Sequence, residues 1–252
     1  MATENGEWYV ISLRPQGGHE GMRAAAARHG ARVLALSPWK LVGNDAAGSR
    51  AELRAALAAP RVIFTSPAAV RFAKQLATLR RKRGQVFLAV GAATAEALRR
   101  AGVDAVVSPQ RMDSEGLLGL PELQGLRGSG VGLVTAPDGR DVLAPALRRR
   151  GARLLRADVY ARMEIPLSAA SVRRLLELRA PACVALSSGA ALESALSRLP
   201  PGARARLLRL PAVAASERLA DLARNAGFAK VYVAAGPRPA QLLLAARKAS
   251  GR

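Results

Sequence analysis

Short apolar runs alternate along this chain with longer stretches whose apolar positions return every three or four residues. The runs at 8–13, 32–36, 61–65, 85–90, 104–107, 130–135, 153–160, 182–187, 211–214 and 230–234 predict strands. The periodic stretches at 18–29, 49–59, 67–80, 93–101, 114–119, 139–150, 168–179, 189–198, 216–226 and 237–249 predict helices. Regular alternation of this kind predicts an α/β architecture with mostly parallel strands. Gly30, Gly102, Gly151 and Gly227 fall just past the last periodic residue of a helix, where a left-handed stop is expected.

The pattern repeats. "VIFTSPAAV" (62–70) returns as "VALSSGAAL" (184–192) at an offset of 122, and "RRAGVDAVV" (99–107) as "RNAGFAKVY" (224–232) at 125. "HGARVL" (29–34) corresponds to "RGARLL" (150–155) at 121. Residues 60–118 therefore resemble 182–243, and residues 8–36 resemble 130–156. One unit is continuous, with its "GAR" element last; the other is split, with that element at the N-terminus. The order predicts two similar parallel-sheet α/β domains, 1–37 plus 167–252 and 44–155. They would be joined by a two-stranded antiparallel linker at 38–43 and 156–166, so that both extended connections satisfy their backbones. A cleft between the domains is the expected place for a ligand.

The 252 residues are half apolar and only 4% aromatic, so alanine, leucine and valine must fill the cores. No apolar run reaches the roughly 18–20 residues of a membrane span, and the start lacks a basic region followed by an apolar one. Cys183, the single cysteine, lies in an apolar run and is expected to be a small core residue in a reducing, cytoplasmic protein. Charge changes the picture more. Thirty-nine Lys and Arg against 18 Asp and Glu leave +21, which attracts nucleic acid, an acidic membrane surface or a small ligand rich in carboxylates or phosphates. The densest basic runs, "RRKRG" (80–84) and "RRRG" (148–151), each close a predicted helix beside a glycine, where cations offset the helix dipole.

Conventional catalytic signatures are missing. His19 and His29, ten apart in one helical stretch, suit helix-end or surface roles better than a metal site or a triad. No P-loop is present, and acidic residues are scattered. What recurs is the strand-to-helix junction rich in hydroxyls and glycine: Thr65-Ser66-Pro67, Ser187-Ser188-Gly189, Gly91 through Thr94, Asp113-Ser114, Asp138-Gly139-Arg140 and Ser216-Glu217-Arg218. Ordinary N-capping accounts for any one of them. As a set in a strongly basic chain they suit a polyanion, because helix starts present free N–H groups and a positive dipole end. Two readings besides an enzyme stay open: a hinged two-domain binding protein for a polyanionic ligand, and a basic nucleic-acid-binding α/β protein. The latter should show exposed aromatics among its cations, and none are visible.

The chain resembles the uroporphyrinogen-III synthase family. The resemblance rests on "LRP" (13–15), "FTSPAAV" (64–70), "VGAATAEALRRAG" (90–102), "SEGLL" (114–118), "DGRDVLAPALRRRGARLLRADVY" (138–160) and "AASERLADLARNAGF" (214–228). It departs at Leu13, where a threonine is common, and at Ser187-Ser188, where Thr-Ser is frequent. It implies conversion of hydroxymethylbilane to uroporphyrinogen III, by loss of water, inversion of the last pyrrole ring through a spiro intermediate, and closure of the macrocycle in heme biosynthesis. It further implies a cytoplasmic monomer with no cofactor, no metal, no membrane and no nucleic acid, the enzyme that makes the substrate being a candidate partner. Tyr160 is the implied acid assisting departure of the hydroxyl, and its neighbour Arg162 faces either solvent or a carboxylate. Arg14, Pro15, Gly139, Arg140 and Arg218, with Thr65, Ser66, Gly91, Thr94, Ser114, Ser187, Ser188 and Ser216, are the candidates for holding acetates and propionates.

Overall fold

A computed structural model describes residues 7–137 and 142–249. The chain divides into two compact units, one made of residues 1–40 and 163–252, the other of 41–162. In chain order the elements are β1 (Trp8–Ser12), α1 (Glu20–Ala27), β2 (Ala31–Ala35), β3 (Trp39–Gly43), α2 (Ala47–Ala58), β4 (Arg61–Phe64), α3 (Pro67–Leu76), β5 (Val86–Ala89), α4 (Ala92–Arg100) and β6 (Val106–Val107). They continue with α5 (Ser114–Leu118), β7 (Gly130–Thr135), α6 (Leu143–Arg149), β8 (Arg153–Asp158), β9 (Tyr160–Glu164), α7 (Ala169–Glu177), β10 (Ala182–Leu186), α8 (Gly189–Arg198), α9 (Pro201–Leu208), β11 (Ala212–Ala214), α10 (Glu217–Asn225), β12 (Val231–Val233) and α11 (Pro239–Ala249).

Both five-stranded sheets are parallel, with orders β12-β11-β10-β1-β2 and β6-β5-β4-β7-β8. Substituting by the sequence offsets turns one order into the other: β10 for β4, β11 for β5, β12 for β6, β1 for β7 and β2 for β8. β3 and β9 form a separate two-stranded antiparallel sheet, and the chain passes from one unit to the other within these strands.

Strands buried on both faces explain the unbroken apolar runs. In β4, Val62 and Phe64 join a core with Leu53, Phe72, Phe87 and Leu98, while Ile63 faces the opposite core with Leu88, Leu117, Leu133 and Leu147. In the other unit Trp8, Val10, Met22, Cys183, Ala185, Val213 and Leu243 share a core, so Cys183 is fully buried. Gly30, Gly102, Gly151 and Gly227 take φ of 64°, 94°, 79° and 103°, the left-handed stops that their positions predict.

Besides an unexpected 3-10 turn at Pro121–Leu123, three elements differ from expectation. The stretch 67–80 is helical only to Leu76, because Ala77 turns extended and Leu79 folds inward to pack with Leu53 and Phe87. α9 is unannounced in the sequence: only Ala203 and Leu207 are buried, too few to show a period. The strand expected at 104–107 shrinks to Val106–Val107.

Candidate active site

In open parallel sheets, ligands gather beyond the carboxyl ends of the strands, where the strand order reverses. In residues 41–162 that point lies between β4 and β7, and the side chains found there are Thr65, Ser66, Thr135 and Tyr160. Thr65 Oγ1 donates to Thr135 Oγ1 at 2.9 Å across the two strand ends. Ser66 is the N-cap of α3, its Oγ accepting the Ala69 N–H at 3.0 Å, and proline follows it at the first helical position. The same Oγ lies 3.0 Å from the Tyr160 hydroxyl. The Tyr160 ring stacks on Phe72 with centroids 5.3 Å apart and planes 19° from parallel, and the Arg71 guanidinium sits 4.8 Å from the Phe72 centroid. Tyr160 is half-buried, so its ring is held by packing while its edge stays accessible.

This contact lets either hydroxyl donate, and one of the two directions matters for the phenol proton. Ser66 Oγ already accepts the Ala69 N–H. When it also donates its own proton to the Tyr160 oxygen, the phenolic O–H is left to donate to a third group. A tyrosine so arranged can assist a departing hydroxyl.

In the unit made of residues 1–40 and 163–252, the reversal lies between β10 and β1. Ser188 caps α8, its Oγ accepting the Ala191 N–H at 3.3 Å, and Ser187 is half-buried beside it. At the end of β1, Leu13 is buried, Arg14 and Pro15 are half-buried, and Arg14 Nε is buried with no hydrogen-bond partner among the described residues. Burial lowers the affinity of that guanidinium for its proton. His19 is not among the site candidates read from the sequence and is one of the few buried polar side chains. Its Nδ1 lies 3.0 Å from Ser12 Oγ and its Nε2 2.7 Å from Ser37 Oγ. Burial, then the nearby charges of Arg23 and Arg14, push its pKa down to about 4, so the ring is neutral at pH 7. The helix-end role expected of His19 fits its place as N-cap of α1, but a surface position does not. Nothing in the sequence reports that Ser12 and Ser37 converge on the ring.

The other candidates fall at helix starts and are spread over both units. Gly91 caps α4 and Ser216 caps α10, both with extended backbone and no side-chain cap bond, so the first N–H groups of these two equivalent helices remain open to a ligand. Thr94 is buried within α4, and Arg218 is exposed in the first turn of α10. Ser114 is the first residue of α5; Asp113 is its cap, accepting the Gly116 N–H at 2.8 Å. Gly139 and Arg140 lie outside the described residues. Thr135 is a further residue that sequence reasoning passed over, although its place at the end of β7 marks it.

The family model for Uroporphyrinogen-III synthase HemD matches residues 20–243 of the chain. The uroporphyrinogen-III synthase of Escherichia coli (strain K12) is 34% identical over 150 residues, and that of Salmonella typhimurium 33% over the same length. In both cases the aligned stretch covers 59% of this chain and 61% of the relative, so the match spans about three-fifths of their length. A mutant uroporphyrinogen III synthase from Thermus thermophilus superposes with a TM-score of 0.61 at 23% identity, covering 96% of this chain and 98% of that one. The uroporphyrinogen-III synthetase of Helicobacter pylori 26695 reaches the same TM-score of 0.61 at 15% identity, covering 94% and 96%. At such identities the structural likeness is one of fold.

Proposed function

We propose, because the chain belongs to the uroporphyrinogen-III synthase family, that it converts hydroxymethylbilane to uroporphyrinogen III. The observation that carries this reading is the family match across residues 20–243. The chemistry balances without a redox partner: the terminal hydroxyl leaves as water, the resulting azafulvene is attacked by the substituted carbon of the last ring, and that ring inverts through a spiro intermediate before the macrocycle closes. Left alone, the same linear tetrapyrrole closes to the type I isomer. The protein's task is therefore to hold one conformation as much as to lower a barrier.

Tyr160 is the acid in this reading. The Ser66 contact at 3.0 Å supports it, because with the serine as donor the phenolic proton is free for the departing hydroxyl. Arg14, with its unpartnered buried Nε, supplies a donor suited to a propionate or acetate. The uncapped starts of α4 and α10, at Gly91 and Ser216, offer backbone N–H groups to further carboxylates, and Ser187, Ser188, Thr65, Ser114 and Arg218 offer side chains at equivalent places. Pro15 follows Arg14 in the segment after β1, and Arg140 with Gly139 completes the set by sequence position. We place the enzyme in the cytoplasm as a monomer; among the described residues no helix is long and apolar enough to cross a membrane.

The test is isomer analysis. Hydroxymethylbilane is generated in the presence of the purified protein, the product is oxidised, and types I and III are separated by chromatography. Predominantly type III is expected. Type I at the rate seen without protein would sink the proposal.

A further inference from the structure

The basic run at 80–83 has no part in the reaction proposed above. The helix that should have ended in it stops at Leu76, so these cations do not offset a helix dipole. They lie in the loop between α3 and β5, with Arg80, Arg81, Lys82 and Arg83 all exposed around a buried Leu79. The loop is held in place. Gln85, buried at its base, donates from Nε2 to the carbonyls of Leu57 at 2.9 Å and Ala59 at 2.8 Å. Its Oε1 accepts the Lys82 N–H at 2.8 Å, and its carbonyl accepts from Arg81 Nη1 at 3.1 Å. The Gln85 N–H closes a turn on Lys82 O at 3.1 Å, with Gly84 at φ 77°, a backbone conformation that favours glycine.

Arg54 of α2 joins the four loop cations around a cavity of about 530 Å³, completed by Leu57, Ala58, Ala77 and Thr78. No carboxylate lines it, and among the described residues none of the five cations forms an ion pair. Five like charges held on fixed backbone around one cavity repel one another, and a concentrated anion relieves that repulsion. The cavity lies toward the amino-terminal end of β5, the opposite end of the strand from Gly91.

We infer that this cavity is a second anion site, shaped for a short chain of phosphates. The lining discriminates among anions. It has no aromatic ring on which a base could stack, and its apolar part is limited to Leu57, Ala58 and Ala77, too little to cover a carbon framework bearing carboxylates. What it offers is arginine forks, which match phosphate oxygens two at a time, and a chain of phosphates concentrates its charge over a short length. Because Gln85 fixes the turn beforehand, little backbone freedom is lost on binding. The site stands independently of the activity proposed above.

The experiment is titration calorimetry of the full chain with inorganic tripolyphosphate at about 50 mM salt, repeated at about 200 mM, where counterion competition weakens such contacts. One-to-one binding is expected, and the triple variant Arg54→Ser, Arg80→Ser, Arg83→Ser should lose about tenfold or more in affinity. All three positions are exposed, so the variant's melting curve should match the parent's, and its yield of type III isomer should be unchanged. A nucleoside triphosphate binding no tighter than tripolyphosphate would identify a free phosphate chain as the ligand; tighter binding would identify a nucleotide. The first result supports the site; the second would overturn its reading as one shaped for a bare phosphate chain. Undiminished binding by the triple variant, an equally tight tricarboxylate, or no binding of tripolyphosphate at the lower salt would overturn it.

Discussion

The two units share a sheet order and a junction yet use the junction differently. Thr65-Ser66 follows β4 and Ser187-Ser188 follows β10; in both, the second residue of the pair is a serine that caps the next helix from an extended backbone. There the likeness stops. Ser66 Oγ also meets the Tyr160 hydroxyl, and Thr65 meets Thr135. In the other unit the polar contacts have moved to the end of β1, where Ser12 and Ser37 hold His19 between them. A capping serine is needed by the backbone alone, so it persists in both copies. What the side chain touches next depends on residues brought in from elsewhere in the chain, and that is free to diverge.

Replacing the Tyr160 hydroxyl should separate the two junctions most sharply. Tyr160→Phe keeps the stacking on Phe72. It is expected to cut turnover about 100-fold or more with an unchanged melting temperature, the scale of a lost general acid. Full activity in this variant would mean that the Ser66–Tyr160 contact serves only packing.

The next effect belongs to His19. Its folded pKa lies near 4 against an ordinary 6.5, depressed by burial and by Arg23 and Arg14. On acidification the unfolded chain takes up this proton first. The stability that the neutral ring contributes is therefore complete above about pH 6.5 and drains away as pH falls toward 4. The loss amounts to at most about 3 kcal/mol. Denaturant unfolding from pH 7 to 4 should show His19→Gln losing less stability than the parent over this window. Identical slopes would mean that the ring titrates normally.

Capping should separate the units more gently. Ser66→Ala and Ser188→Ala should each cost about 1 kcal/mol of stability. Only the first should also lower turnover, by about tenfold, because only it frees Tyr160 from a partner. Equal losses of turnover would erase the distinction between the junctions. The smallest effect is expected at Cys183, which by the 122-residue offset occupies the place of Arg61. Arg61 donates to Glu122 O and Ser129 Oγ, whereas the Cys183 thiol is buried and its pKa is pushed up to about 12. Thiol reagents at pH 8 should leave the native protein unlabelled and react only after denaturation; rapid native labelling would contradict that burial.

By itself, the sequence determined what short-range physics controls. Strand and helix order followed from short unbroken apolar runs alternating with period-3.6 stretches, and helix stops from glycines such as Gly102 and Gly227. The correspondence of the two sheets followed from offsets between short motifs, since equal local signals in equal order build equal sheets. The serines at 66 and 188 were legible as caps because a cap bonds its own helix three residues on. The tertiary structure alone decided which distant groups meet. Ser66 and Tyr160 are 94 positions apart, and His19 lies between hydroxyls 7 before and 18 after it. It also ended α3 at Leu76, because burying Leu79 and anchoring Gln85 outweighed the remaining helical periodicity. Local preferences are worth tenths of a kcal/mol per residue, whereas a buried leucine is worth about 2 kcal/mol, so packing prevails wherever the two conflict.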